Sequence, residues 1–110
     1  MRRPGWSIYV VRCRDGSLYT GIALDVSRRL AQHAGAGGRG AKYLRGRGPL
    51  RLELTRAVGS RSVAQSVERR IKTLPREQKL ALLAKRALLD RLVASARARA
   101  GVATSRRTRG

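Results

Sequence analysis

Apolar residues cluster in short strand-like runs near the start of the chain and recur at helical spacing over its second half. Residues 6–12 (Trp-Ser-Ile-Tyr-Val-Val-Arg) predict a buried strand, and 17–22 (Ser-Leu-Tyr-Thr-Gly-Ile) predict its hairpin partner. Two turns fit between them. A two-residue Asp15-Gly16 loop pairs Cys13 with Leu18 and sends Tyr9 and Tyr19 to opposite faces. A three-residue loop, Arg14-Asp15-Gly16 with Gly16 left-handed, pairs Cys13 with Ser17, Val11 with Tyr19 and Tyr9 with Gly21. That register puts both tyrosines on one face. Propensity alone does not choose between the two.

Asp25 is a good N-cap for a helix over 26–34 whose apolar stripe is Val26, Leu30 and Ala34. Arg29 and His33 flank this stripe one turn apart, while Arg28 points to the far side. Residues 35–48, Gly- and Arg-rich around Lys42-Tyr43, read as a mobile basic loop, and 50–56 alternate as a strand. Ser62 and Gln65 form a capping box ahead of an amphipathic helix with Val63, Val67, Ile71 and Leu74. Pro75 ends that helix and suits the first turn of the next, with Leu80, Leu83 and Ala87 as its buried side. The pattern fades through Leu88, Leu92 and Val93. Residues 91–110 hold six Arg and no acid, which predicts a flexible Arg-rich tail after a folded domain of residues 1–90. Strand, strand, helix, strand and two helices make one complete α+β domain.

Charge changes the picture more than hydropathy does. The 110 residues carry 26 Lys+Arg against 6 Asp+Glu, a formal net charge of +20. That imbalance points to a polyanionic partner. The Lys residues are 42, 72, 79 and 85, and the other basic residues are Arg, whose planar fork suits phosphate. A genome biased towards Arg, Ala and Gly is the plainer explanation of the same count. The single Cys13 excludes an internal disulfide and a Cys-cluster zinc site, and fits a reducing compartment. No apolar run approaches the roughly 20 residues that span a bilayer, and no apolar signal core follows Met1-Arg2-Arg3-Pro4-Gly5. The expectation is a cytoplasmic protein, with nucleoid association as the alternative, and with no membrane partner.

Few acids are available for chemistry. Asp15 belongs to the turn, Asp25 to a cap, Glu77 to a helix's first turn, Glu53 to the outward side of a strand, and Asp90 to the fraying end. Glu68 remains, at the edge of its helix's apolar stripe beside Ala64 and Ile71. A helix-edge Glu is ordinarily an ion-pair partner, and so few acids disfavour a dedicated two-metal site. His33, Arg29 and each tyrosine likewise have bland readings as surface or packing residues. The Gly-rich segment 35–48 does not match a phosphate-binding loop.

Order and spacing raise all of these together. Ser7-Ile8-Tyr9, then Tyr19-Thr20-Gly21, then Arg29, His33 and a helical Glu68 closely resemble the GIY-YIG nuclease domain over about residues 6–83. The words Trp6-Ser7-Ile8-Tyr9-Val10, Asp15 through Ile22, Asp25 through Leu30 and Glu68-Arg69-Arg70-Ile71-Lys72 look like its small single-domain bacterial branch. The resemblance implies a three-stranded antiparallel sheet flanked by helices, with a phosphodiesterase site on one face. It implies that Tyr9 and Tyr19 position or activate water, that Tyr19 or His33 receives its proton, that Arg29 contacts the scissile phosphate, and that Glu68 holds one divalent cation, Mg2+ or in its place Mn2+. Opposite faces could not share one phosphate, so the resemblance also selects the three-residue hairpin loop. Lys42, Tyr43 and Arg45 in the basic loop, with Lys72 and Lys79 on the helices, are the candidate nucleic-acid contacts. The chain departs from the pattern at Ser7 and Thr20, and it contains no Asn to follow the Glu, a place that Lys72 or Lys79 could fill. A metal-dependent DNA endonuclease leads, in a repair or recombination setting. A non-catalytic DNA- or RNA-binding module that keeps the fold is the alternative, and a basic protein of RNA-rich particles is the third.

Overall fold

A computed structural model describes residues 5–34 and 49–109, with side chains for 5–32 and 49–100. The elements run β1 (Trp6–Arg12), β2 (Leu18–Ala23), α1 (Val26–Ala34), β3 (Arg51–Gly59), α2 (Arg61–Thr73), α3 (Arg76–Ala84) and α4 (Arg86–Arg109). The architecture is the expected α+β one, an antiparallel sheet in the order β2-β1-β3. Its central strand is apolar because both of its faces are covered, and Ile8, Tyr9, Val10 and Val11 are all buried.

The hairpin closes through the three-residue loop. Cys13 N–H donates to Ser17 O at 2.8 Å, Gly16 N–H donates to Cys13 O at 2.9 Å, and Gly16 has φ +87°. Asp15 Oδ1 accepts from Ser17 N–H at 3.0 Å and from Ser17 Oγ at 2.6 Å, which fixes the turn. Tyr9 therefore lies opposite Gly21, and Val11 opposite Tyr19.

The two faces of the sheet have separate packing. Tyr9, Val11, Cys13 and Ala23 form one cluster, joined by Tyr19, Leu50 and the α1 residues Val26 and Leu30. Asp25 caps α1, its Oδ1 accepting from Arg28 N–H at 3.0 Å. Ile8, Val10 and Leu54 form the larger core with Val63, Ala64, Val67 and Ile71 of α2, Leu82 of α3 and Leu89 and Val93 of α4.

Four local expectations are corrected. Strict alternation would put Leu50 and Leu54 on one face. Instead Val10 faces Leu54 while Val11 faces Leu52, so Glu53 is an extra bulged residue and the strand changes phase there. Leu52 is exposed, and Glu53 turns to Arg12 Nε at 3.0 Å instead of to solvent. The cap of α2 is Ser60, whose Oγ accepts from Val63 N–H at 3.2 Å, two residues ahead of the capping box expected at Ser62. On α3, Leu82 is the buried residue and Ala87 is exposed, because Lys85 is extended (φ −128°, ψ 103°) and breaks the phase between α3 and α4.

The largest correction concerns residues 91–100. They do not begin a flexible tail, because α4 runs unbroken through residue 90. Val93 and Ala96 are core residues, Asp90 pairs with Arg56, and Arg97 Nη2 donates to Val58 O at 3.2 Å. The folded unit therefore includes at least residues 91–100. Truncation after Asp90 should cost about 2–4 kcal/mol from the lost burial of Val93 and its neighbours. Chemical denaturation of the truncated chain checks this, and unchanged stability would count against the packing of α4.

Candidate active site

Tyr9 is the centre of the site. It is 2% exposed, and its ring centroid lies 6.4 Å from that of Tyr19 with the planes tilted by 43°. The room for its phenol comes from the facing strand. A Cβ on Gly21 would lie 2.5 Å from Tyr9 Oη and 2.6 Å from Cζ, so only glycine lets the Tyr9 ring cross the backbone of β2. The three-residue register already placed Gly21 opposite Tyr9, and that pairing was the sequence signal for this role.

Arg29 stands beside the Val26–Leu30 stripe of α1 and is half-buried, whereas Arg28 is exposed. The helix phase predicted that difference. Glu68 comes from α2, which lies against β1 and the edge strand β2. Its side chain is 19% exposed, and Oε2 is 3.3 Å from Lys72 Nζ one turn further on. Lys72 Nζ in turn sits 5.8 Å from the centroid of the Tyr19 ring.

The electrostatics of Tyr9 show the convergence of these groups. Burial pushes its pKa up to about 12, with Tyr19 and Glu68 raising it and Arg29 lowering it. Three elements thus bring Tyr19, Arg29 and Glu68 to bear on one phenol. The cationic surroundings expected to make tyrosine a base do not prevail at Tyr9, which keeps its proton at neutral pH. The neutral form is favoured in the folded chain, so this contribution is fully present below pH 10 and is lost as pH rises towards 12. Wild-type stability should fall by about 2–3 kcal/mol over that window relative to Tyr9→Phe. Urea unfolding at graded alkaline pH measures it, and parallel curves for the two proteins would contradict it.

The other acids are engaged as the sequence suggested, with Asp90 and Glu53 changed as described. Lys79 is not brought to the tyrosines. It lines a small cavity with Val10, Thr20, Ile71, Leu82 and Leu89 on the helical side of the sheet, because the phase of α3 turns it there. Thr20 is buried on that same side, so the departure of the second tripeptide lies away from the site. The backbone of His33 belongs to α1, but its side chain lies outside the described residues, as do Lys42, Tyr43 and Arg45 altogether.

Whether a divalent cation suits these residues depends on the donor set. No three His, Cys, Asp or Glu side chains converge among the described residues, which rules out a caged site there. Mg2+ commonly keeps several waters and takes one or two carboxylates plus substrate phosphate. Glu68, largely buried and electrostatically linked to Tyr9, fits that minimal form. No described helix is long and apolar enough to cross a membrane.

A sheet whose Tyr9 and Tyr19 share one face with Arg29, edged by a helical Glu68, defines a class. The chain belongs to the GIY-YIG family: the model of the GIY-YIG catalytic domain matches residues 5–81. That family is of nuclease type. Within it the chain is similar to small single-domain bacterial proteins. A UPF0213 protein of Vibrio cholerae is 51% identical over 88 residues, spanning 79% of this chain and 85% of the relative. The UPF0213 protein YhbQ of Salmonella typhimurium is 46% identical over 90 residues, spanning 82% and 88%. The solution NMR structure of a UPF0213 protein from Bacillus halodurans is 45% identical, covers 73% of this chain and 83% of its own, and superposes with a TM-score of 0.49.

Proposed function

We propose that this chain is an endonuclease that hydrolyses phosphodiester bonds in DNA with one divalent cation, Mg2+ or in its place Mn2+. The observation that carries the reading is geometric: Tyr9 and Tyr19 share one face of the sheet, Arg29 of α1 is half-buried beside the same cluster, and Lys72 lies between Glu68 of α2 and the Tyr19 ring. In this scheme Arg29 holds a non-bridging oxygen of the scissile phosphate and offsets its growing charge. Tyr9, protonated, orients the attacking water by hydrogen bonding. Tyr19 or His33 takes the water's proton as the new P–O bond forms and the bond to the leaving oxygen breaks. Glu68 is the residue that holds the cation, which supplies Lewis-acid stabilisation of the phosphate and leaving group. The +20 charge draws the polyanion in and is indifferent to sequence. Branched, nicked or damaged DNA in repair or recombination is the substrate class, and the cytoplasm or nucleoid the setting.

Two observations favour a second reading, a non-catalytic DNA- or RNA-binding module. The Lys72 ammonium is already at the Glu68 carboxylate, and the chain has no Asn. End-labelled duplex, nicked, branched and RNA substrates incubated with Mg2+ separate the two. Wild-type cleavage of DNA that Glu68→Gln abolishes supports the nuclease. Tight binding by both proteins with no cleavage of any substrate supports the module.

A further inference from the structure

The residue that most sets this site apart is Lys72. Its Nζ lies 3.3 Å from Glu68 Oε2, and its side chain is 51% exposed against 19% for Glu68. The Glu68 side chain is thus largely enclosed, while the ammonium sits at the end of a long, solvent-accessible stem. Its second contact is the face of the Tyr19 ring, at 5.8 Å. With its lysine half-exposed to water, the pair is open to exchange on that side. The chain has therefore placed a tethered monovalent cation at the carboxylate best suited to a divalent one. Two cations at a single carboxylate repel each other, and the +20 field of the chain further disfavours a metal ion in the absence of a polyanion.

We infer that Lys72 keeps Glu68 from holding a divalent cation until a nucleic-acid phosphate draws its ammonium away, so that metal and nucleic acid load cooperatively. The inference rests on the nuclease reading only in taking Glu68 as the cation's carboxylate. Phosphate is a competing anion for the Lys72 ammonium, and the reach of its stem allows the exchange without movement of α2. Glu68, released, faces a cation that the phosphate also attracts. Linkage then requires the converse, that the cation strengthens nucleic-acid binding by the same factor.

Mn2+ titration of the protein alone, followed by the paramagnetic signal of the free ion, reads this without any turnover. Lys72→Gln should bind Mn2+ about tenfold more tightly than wild type, the scale of removing one nearby charge at a partly exposed site. Lys72→Gln/Glu68→Gln should lose that gain. Adding a 12-base-pair duplex, with Mn2+ bound by the duplex and by the Glu68→Gln complex subtracted, should tighten wild type about tenfold and Lys72→Gln much less. Thermal unfolding of each variant establishes that it is folded. Equal Mn2+ affinity in wild type and Lys72→Gln, or a gain that survives Glu68→Gln, overturns the inference. Mg2+-dependent cleavage by wild type alongside such equal affinities would sink the role of Lys72 and leave the nuclease standing. Tighter Mn2+ binding by Lys72→Gln with no cleavage by wild type would keep the role of Lys72 and sink the nuclease. No Mn2+ binding through Glu68 in any variant, and no cleavage, would remove both.

Discussion

Arg29→Ala should lower single-turnover, Mg2+-dependent DNA cleavage by about 10²-fold or more, while Arg28→Ala cuts at a near wild-type rate. The two residues are adjacent, carry the same charge and sit on the same helix. What separates them is the phase of α1. Val26 and Leu30 pack against the tyrosine face, so Arg29 is half-buried beside that contact and lowers the pKa of Tyr9. Arg28 is exposed and serves the N-cap only through its backbone N–H, which alanine retains. Binding should survive in both variants, because one charge is a small part of a net +20. Equal loss of cleavage in the two would mean that diffuse charge, rather than a positioned guanidinium, governs the rate.

Gly21→Ala should be nearly as damaging by a different route. The added methyl would lie 2.5 Å from Tyr9 Oη, and at 2% exposure the Tyr9 ring has little room to yield. Overpacking of this kind costs about 1–3 kcal/mol. A phenol displaced by about an ångström should also lower cleavage by about 10²-fold. Gly16→Ala is the matched control. Gly16 has φ +87°, so alanine strains the turn, yet its Cβ would meet nothing within 4 Å. It should lose stability and retain the chemistry once folded. Melting temperatures and single-turnover rates of both variants test this, and a Gly21→Ala protein with wild-type stability and rate would contradict the role of the close approach.

The parts of the fold that follow from local chemistry were legible in the sequence. Asp15 and Gly16 specify the hairpin loop, the loop specifies the register, and the register puts Tyr9, Tyr19 and Gly21 together. The Asp25 cap and the spacing of Val26 and Leu30 specify which arginine faces the sheet. Elimination of the other acids left Glu68, and the structure does engage those others elsewhere. The bulge at Glu53 was not legible, since alternation carries no mark of an extra residue until the partner strand is known. Residues 91–100 are not legible as a packed helix because their buried side is a narrow stripe of Val93, Ala96 and Ala100 among arginines, apolar enough to pack but too small to stand out. The place of Lys79, lining a cavity on the helical side of the sheet, depends on how α3 packs and has no mark in the sequence. Glu68 and Lys72 each carry a separate signal in the sequence. Their pairing follows from four-residue spacing on α2, but the nearness of Lys72 to Tyr19 needed the placement of α2 beside the edge strand.

In the nuclease reading, groups from α1, α2 and the hairpin form one site serving one transition state. The single-turnover rate of Arg29→Ala/Glu68→Gln in Mg2+, set beside the two single variants, tests it most directly. Groups that act as a unit lose their effect together. The double variant should therefore cleave within about tenfold of the slower single, each single being about 10²-fold below wild type. Losses that multiply to about 10⁴-fold, or single variants that cleave like wild type, would contradict a shared site.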